Sequence, residues 1–78
     1  MIKMNNNRLK KILNIITSMN NIEEELNDIL NEEQEYYDNM PENLQYSSRG
    51  ERAENAIDNL EESIESLHSS VEYLNDIE

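Results

Sequence analysis

Ala53, Ile57, Leu60, Ile64, Leu67, Val71 and Leu74 recur at strict intervals of four and three residues. That spacing holds one apolar edge against a partner helix for three heptads, the pattern of a coiled-coil seam. A half-buried strand would instead alternate at every second residue. A related stripe runs through the first half of the chain: Ile12, Ile15, Met19, Ile22, Leu26, Ile29, Tyr36 and Met40, with Glu33 where the next apolar residue is due. Leu9, Ile16, Leu30 and Tyr37 widen it on one side, so the first helix carries a broad apolar face. The fold class is all-α.

Two long helices need a break between them, and the only proline and only glycine, Pro41 and Gly50, mark it. Pro41 pushes the preceding residue out of helical dihedrals and ends the first helix. The capping-prone run Asn5–Asn7 suits its start, and Ser48-Arg49-Gly50-Glu51 has the form of a capping box for the second. These signals predict one helical-hairpin domain over residues 1–78: a helix over about 6–39, a bend over about 40–48 and a helix over about 49–77. Helices of similar length joined by a short connection pack antiparallel. Spacing alone does not fix the register, because a slide of one heptad leaves similar layers. Ala56, Ser63 and Ser70, seven residues apart beside the second seam, form a small-residue column that Leu9, Ile16, Leu30 and Tyr37 are expected to fill.

A chain of 78 residues without cysteine has no disulfide to support a thin core, and small folds of this kind draw stability from a partner. Self-association is expected, into a four-helix bundle or a higher oligomer. The charge is lopsided. Residues 1–22 hold Lys3, Arg8, Lys10 and Lys11 and no acid, while all eighteen acids follow with only Arg49 and Arg52 among them. In an antiparallel hairpin the basic start comes close to Asp76 and Glu78. An acidic body of this kind does not bind nucleic-acid backbone directly; it suits a basic partner, an imitation of DNA, or a solvated surface. No apolar run reaches the roughly 20 residues of a membrane span, and Asn14, Thr17 and Ser18 break up the only stretch resembling a signal peptide. A cytoplasmic protein without membrane association is expected.

Catalytic signals are sparse. Glu65 and His68 have the E-x-x-H spacing of di-iron bundles, but Leu67 holds the seam and puts both on its flanks, and Glu33 lies nearer the bend. Glu33 is expected to pair with Arg49 or Arg52. One glycine cannot build a phosphate loop, and no cysteine or serine–histidine–acid grouping offers a nucleophile. The reading is a non-enzymatic protein without cofactor or metal.

The bend, YYDNMPENLQYSSRGE, collects the remaining chemistry. Arg49 and Arg52 flank a helix start, where free amides attract anions. Ser47 and Ser48 add hydroxyls, Asn43 and Gln45 add amides, and Tyr36, Tyr37 and Tyr46 add flat faces on which a base could stack. Together they make a candidate site for a nucleotide-type small molecule or a protein partner. The simpler alternative is a shaped turn, with Met40, Leu44 and Tyr46 plugging the bundle end and the arginines neutralising nearby acids.

The stretch EEQEYYDNMPENLQYSSRGERAENAIDNLEESIESL resembles a set of small uncharacterised helical-hairpin proteins of phages and prophages of low-GC Gram-positive bacteria. They share an NMPENLQ-S-RGE-like segment followed by a helix of LEEA-like units; the likeness spans about residues 32–74. It implies a phage accessory protein acting in the host cell. The function expected is binding that antagonises a host anti-phage defence, by occluding a host protein or sequestering a nucleotide signal. The alternatives are an acidic DNA mimic that blocks a DNA-binding host protein, and a structural or assembly coiled coil.

Overall fold

Asn5 starts the first helix as its spacing suggests. Its Oδ1 accepts from the backbone amides of Asn7 at 2.8 Å and Arg8 at 3.4 Å, satisfying two of the amides that a helix start leaves without partners. The computed structural model describes residues 5–77. Helix α1 covers Asn6–Asp38, a single-turn helix α2 covers Glu42–Gln45, and helix α3 covers Ser48–Asn75. α1 and α3 pack against each other as a hairpin, and α2 packs on the start of α3. The described residues contain no strand, and none of their helices is long and apolar enough to cross a membrane.

Two side-chain links set the register. Tyr37 Oη donates to Glu54 at 2.6 Å, and His68 Nδ1 lies 3.3 Å from Glu23 Oε1. Fourteen residues separate Glu23 from Tyr37, and fourteen separate Glu54 from His68, so the alignment holds unbroken over two heptads. It sets Ile16 opposite Leu74, Met19 opposite Val71, Leu26 opposite Ile64, Leu30 opposite Leu60, and Met40 opposite Gly50. Every α1 residue of this edge (9, 12, 16, 19, 23, 26, 30, 33 and 37) is half-buried or buried, as is Met40 just beyond the helix. The seam of α3 is the one its spacing predicts, with Ala53, Ile57 and Val71 buried.

The seam of α1 differs from the expectation. Leu9, Ile16, Leu30 and Tyr37 belong to it, while Ile15, Ile22, Ile29 and Tyr36 remain 46–51% exposed. At 100° per residue, the buried edge is rotated by about 50° from the one first read. Three apolar columns are more than one partner helix can cover, and on the edge that faces α3 two of the polar members, Glu23 and Tyr37, find partners there. The small-residue column is consequently not filled by α1: Ser63 and Ser70 are exposed and Ala56 is half-buried.

The register also separates charges that were expected to meet. Asp76 falls level with Asn14–Ile15, which leaves Arg8, Lys10 and Lys11 one to two turns further out, about 5–10 Å along the axis. No ion pair joins them to Asp76 among the described residues; Lys3 and Glu78 lie outside those residues.

The bend is tighter than a loop. Met40 N donates to Tyr37 O at 3.1 Å, and Leu44 N donates to Pro41 O at 2.8 Å. Gln45 Nε2 reaches back to Tyr37 O in the last turn of α1 and to Met40 O just beyond it, at 3.2 and 3.4 Å. Ser47, not Ser48, is the cap residue of α3, and its hydroxyl donates to Leu44 O instead of to α3. The expected capping box is therefore absent: Ser48 is already helical and Ser47's hydroxyl is committed to α2. Gly50 is buried where α2 crosses α3. A Cβ there would overlap the Gln45 carbonyl and come within 2.7 Å of its Cα. The constraint is backbone approach, not dihedral angle, since no residue here has positive φ.

The core is thin. Among the described residues five apolar side chains are buried, none of them completely. A compact monomer of this mass exposes about 4,900 Å², and this chain exposes 6248 Å². Gly50→Ala ordinarily gains about 0.5–1 kcal/mol inside a helix. Here overpacking against backbone reverses the sign, at a cost of about 1–3 kcal/mol. Thermal melts followed by circular dichroism should show Tm lowered by at least about 4 °C; a raised Tm would mean that α2 does not press on α3.

Candidate functional site

The nine residues expected at the bend separate into three groups. Tyr36, Arg49 and Arg52 line one groove of about 260 Å³, together with Glu33 and Ala53. Helical spacing explains the convergence: Tyr36 lies three residues beyond Glu33 on one edge of α1, and Arg49, Arg52 and Ala53 fall on the facing edge of α3's first turns. Glu33 shares the groove, but among the described residues no ion pair within 4.0 Å joins it to either arginine. The expected pairing is not made. Both guanidinium groups are left facing a cavity with one carboxylate and one phenol.

Tyr37, Gln45 and Ser47 are occupied in holding the bend together. Gln45 and Ser47 bind backbone carbonyls, as described above. Tyr37, about 100° further round the helix, reaches Glu54 and does not line the groove of Tyr36. Its hydrogen bond to Glu54 favours the protonated phenol, and that bond is the largest cause of a pKa raised from 10.0 to about 12, with desolvation and the nearby negative charge adding to it. Asn43, Tyr46 and Ser48 are exposed at the apex, Tyr46 at 79%. Tyr46 therefore does not plug the bundle end. Met40 does, buried, with Leu44 half-buried beside it.

A second groove, about 500 Å³, runs along the opposite flank of the seam. Glu23, Leu30 and Ile64 form its floor, and Glu61, Glu65, His68 and Glu72 line its α3 side. His68 is the one residue there that joins the two helices. Its ring lies 3.3 Å from Glu23 and 3.1 Å from Glu72, with 61% of the side chain exposed. A neutral imidazole can donate to only one of the two carboxylates, and the doubly protonated ring to both. No group of three histidine or carboxylate side chains arranged to hold a metal ion occurs among the described residues. Sequence reading missed Glu23 as a seam residue because one acid in a broad apolar stripe looks like its edge. Its partner, His68, could have been found only with the register known.

No protein-family model matches this chain, and no curated protein or solved structure is significantly similar to it.

The Tyr37–Glu54 bond gives the hairpin a pH dependence of definite sign. A protonated phenol held above its unfolded value stabilises the fold in full below pH 10, and that contribution is lost as pH rises from about 10 to 12. In an absorbance titration of the four tyrosines, one phenolate should appear late, and Tyr37→Phe should remove that late phase. Four coincident titrations in the wild type would exclude the bond.

Proposed function

We propose that this protein is a non-enzymatic, self-associating binding protein whose bend captures an anionic partner. The observation that carries the reading is the pair Arg49 and Arg52. They are the only lysine or arginine residues of the sequence after Lys11, and they line one groove with Tyr36 without an ion-pair partner among the described residues. Cations surrounded by so much negative charge are ordinarily neutralised by it. Two that face a shared cavity beside an aromatic ring offer charge and a stacking surface to a phosphate-bearing small molecule. Taken with the resemblance of residues 32–74 to phage and prophage proteins, the reading becomes a phage accessory that acts in the host cytoplasm. There it antagonises an anti-phage defence by sequestering a nucleotide signal or occluding a host protein. The residues that would touch the ligand are Tyr36, Arg49 and Arg52, with Asn43, Tyr46 and Ser48 at the rim.

A second reading, an acidic mimic of DNA, draws on the opposite groove, where Glu23, Glu61, Glu65 and Glu72 gather around a single histidine. It requires salt-sensitive competition with DNA for a host protein.

Native mass spectrometry of the protein, purified gently from its expressing host, separates the two readings. Anion capture predicts a small extra mass on the wild type that Arg49→Glu removes while helicity is unchanged. A wild-type protein without the added mass that blocks DNA binding only at low salt would replace capture with mimicry.

A further inference from the structure

The hairpin is a ribbon of 60 × 18 × 13 Å, and its two broad faces have opposite character. One carries Asn27, Glu61, Glu65 and His68 across the seam. On the other, Ile15, Ile22, Ile29 and Tyr36 stand seven residues apart along α1, 51%, 46%, 48% and 49% exposed. Beside them on α3 run Ala56, Ser63 and Ser70 at the same interval. An open groove of about 580 Å³ lies there, with Asn59, Ser63, Ser66 and Ser70 along it, Leu67 as its apolar base and Glu62 at its edge. In a chain with eighteen acids, neither of these two heptad columns contains one.

We propose that a second copy of the chain covers this face, in a two-fold dimer with both bends at the same end. The inference deepens the self-association named above and does not depend on anion capture. Three observations select the occupant. The face is self-complementary: it holds a bulky ridge and a small-residue groove side by side with a common seven-residue period, so each can fill the other's counterpart. A two-fold interface uses one patch twice and needs that property. The area also fits. The broad face, 60 × 18 Å, spans about 1,000 Å², a stable interface takes about 800 Å² from each partner, and the chain exposes about 1,300 Å² more than a compact monomer of its mass. The charge fits as well: two bodies of net charge −12 repel least where the columns that meet carry no acid.

Geometry then fixes the symmetry. With the two-fold axis along the ribbon, α1 of each copy lies antiparallel over α3 of the other. Ile22 then enters the groove between Ser66 and Ser70, Ile29 the groove between Asn59 and Ser63, as knobs into holes. Turning the axis across the ribbon instead stacks ridge on ridge and leaves both grooves empty. In the first arrangement Tyr36 of each copy comes over Ala56 and Arg52 of the other, so the second copy closes the groove at the bend.

The test is the mass in solution by light scattering. The wild type should run at twice 9.2 kDa, and Ile22→Glu combined with Ile29→Glu should run as a helical monomer, since both positions are exposed in the single hairpin. Leu13→Glu, equally apolar and 53% exposed but on the polar face, should remain a dimer. A spin label at Tyr46→Cys, the only thiol in the chain, should report a distance far below the 60 Å length. A monomeric wild type, a dimer that survives both isoleucine changes, or labels separated by the ribbon's full length would overturn the proposal. Loss of the bound mass in Arg49→Glu with the dimer intact would still support it. A dimer that carries no extra mass would count only against anion capture.

Discussion

Everything in this hairpin depends on the register of one seam. Glu23 with His68 and Tyr37 with Glu54 are the same alignment seen twice, and all other layers follow from it. A slide by one heptad would leave apolar residues opposite apolar residues, so burial discriminates weakly between registers. What discriminates is the polar pairs and the bend. A slipped α3 would leave Glu23 half-buried without its histidine, and would pull Gly50 away from the Gln45 carbonyl that only a glycine can face. Both pairs are partly open to solvent, so each contributes modestly, and the close approach at Gly50 adds a steric demand that a slipped register would not meet.

The same register divides the surface. Because α1 has three apolar columns and α3 covers two, the hairpin is left with one face that resembles the interior of a larger bundle. The acids, absent from the two central columns of that face, crowd onto the surface around them. Arg49 and Arg52 sit at the boundary, near enough to Glu33 to share its groove and not near enough to pair with it. Fold, surface charge and candidate site are thus consequences of a single angular choice, the rotation of α1 about its own axis.

Much of the architecture was legible in the sequence, and the limit of that legibility has a physical cause. The seam of α3 could be read because Ala53 to Leu74 permit only one edge. The start of α1 at Asn5 and its stop before Pro41 could be read because caps and proline act locally. The seam of α1 could not, since Ile15, Ile22 and Ile29 are as apolar as Leu9, Ile16 and Leu30, and only the partner helix decides between them. At the bend, composition brought together nine residues that the chain then uses in different ways. Gln45, Ser47 and Tyr37 are polar groups near helix ends, and backbone carbonyls and Glu54 claim them. Tyr36, Arg49 and Arg52 are the ones left facing a common cavity. The capping box at Ser48 failed because Ser47 lies one residue earlier, with a carbonyl of α2 within reach.

The layers also differ in how much chain must be closed to make them. Met40 and Gly50 are ten residues apart in sequence, and Ile16 and Leu74 are fifty-eight. Closure entropy rises with the logarithm of loop length, so the layer at the bend forms at least cost, and each layer beyond it extends a loop already closed. Such a hairpin assembles as a zipper from the α2 end and frays from the other. Amide exchange along α3 would register this as protection falling from Ala53 towards Leu74. The groove at Arg49 and Arg52 therefore stands on the first part of the molecule to become ordered and the last to come apart.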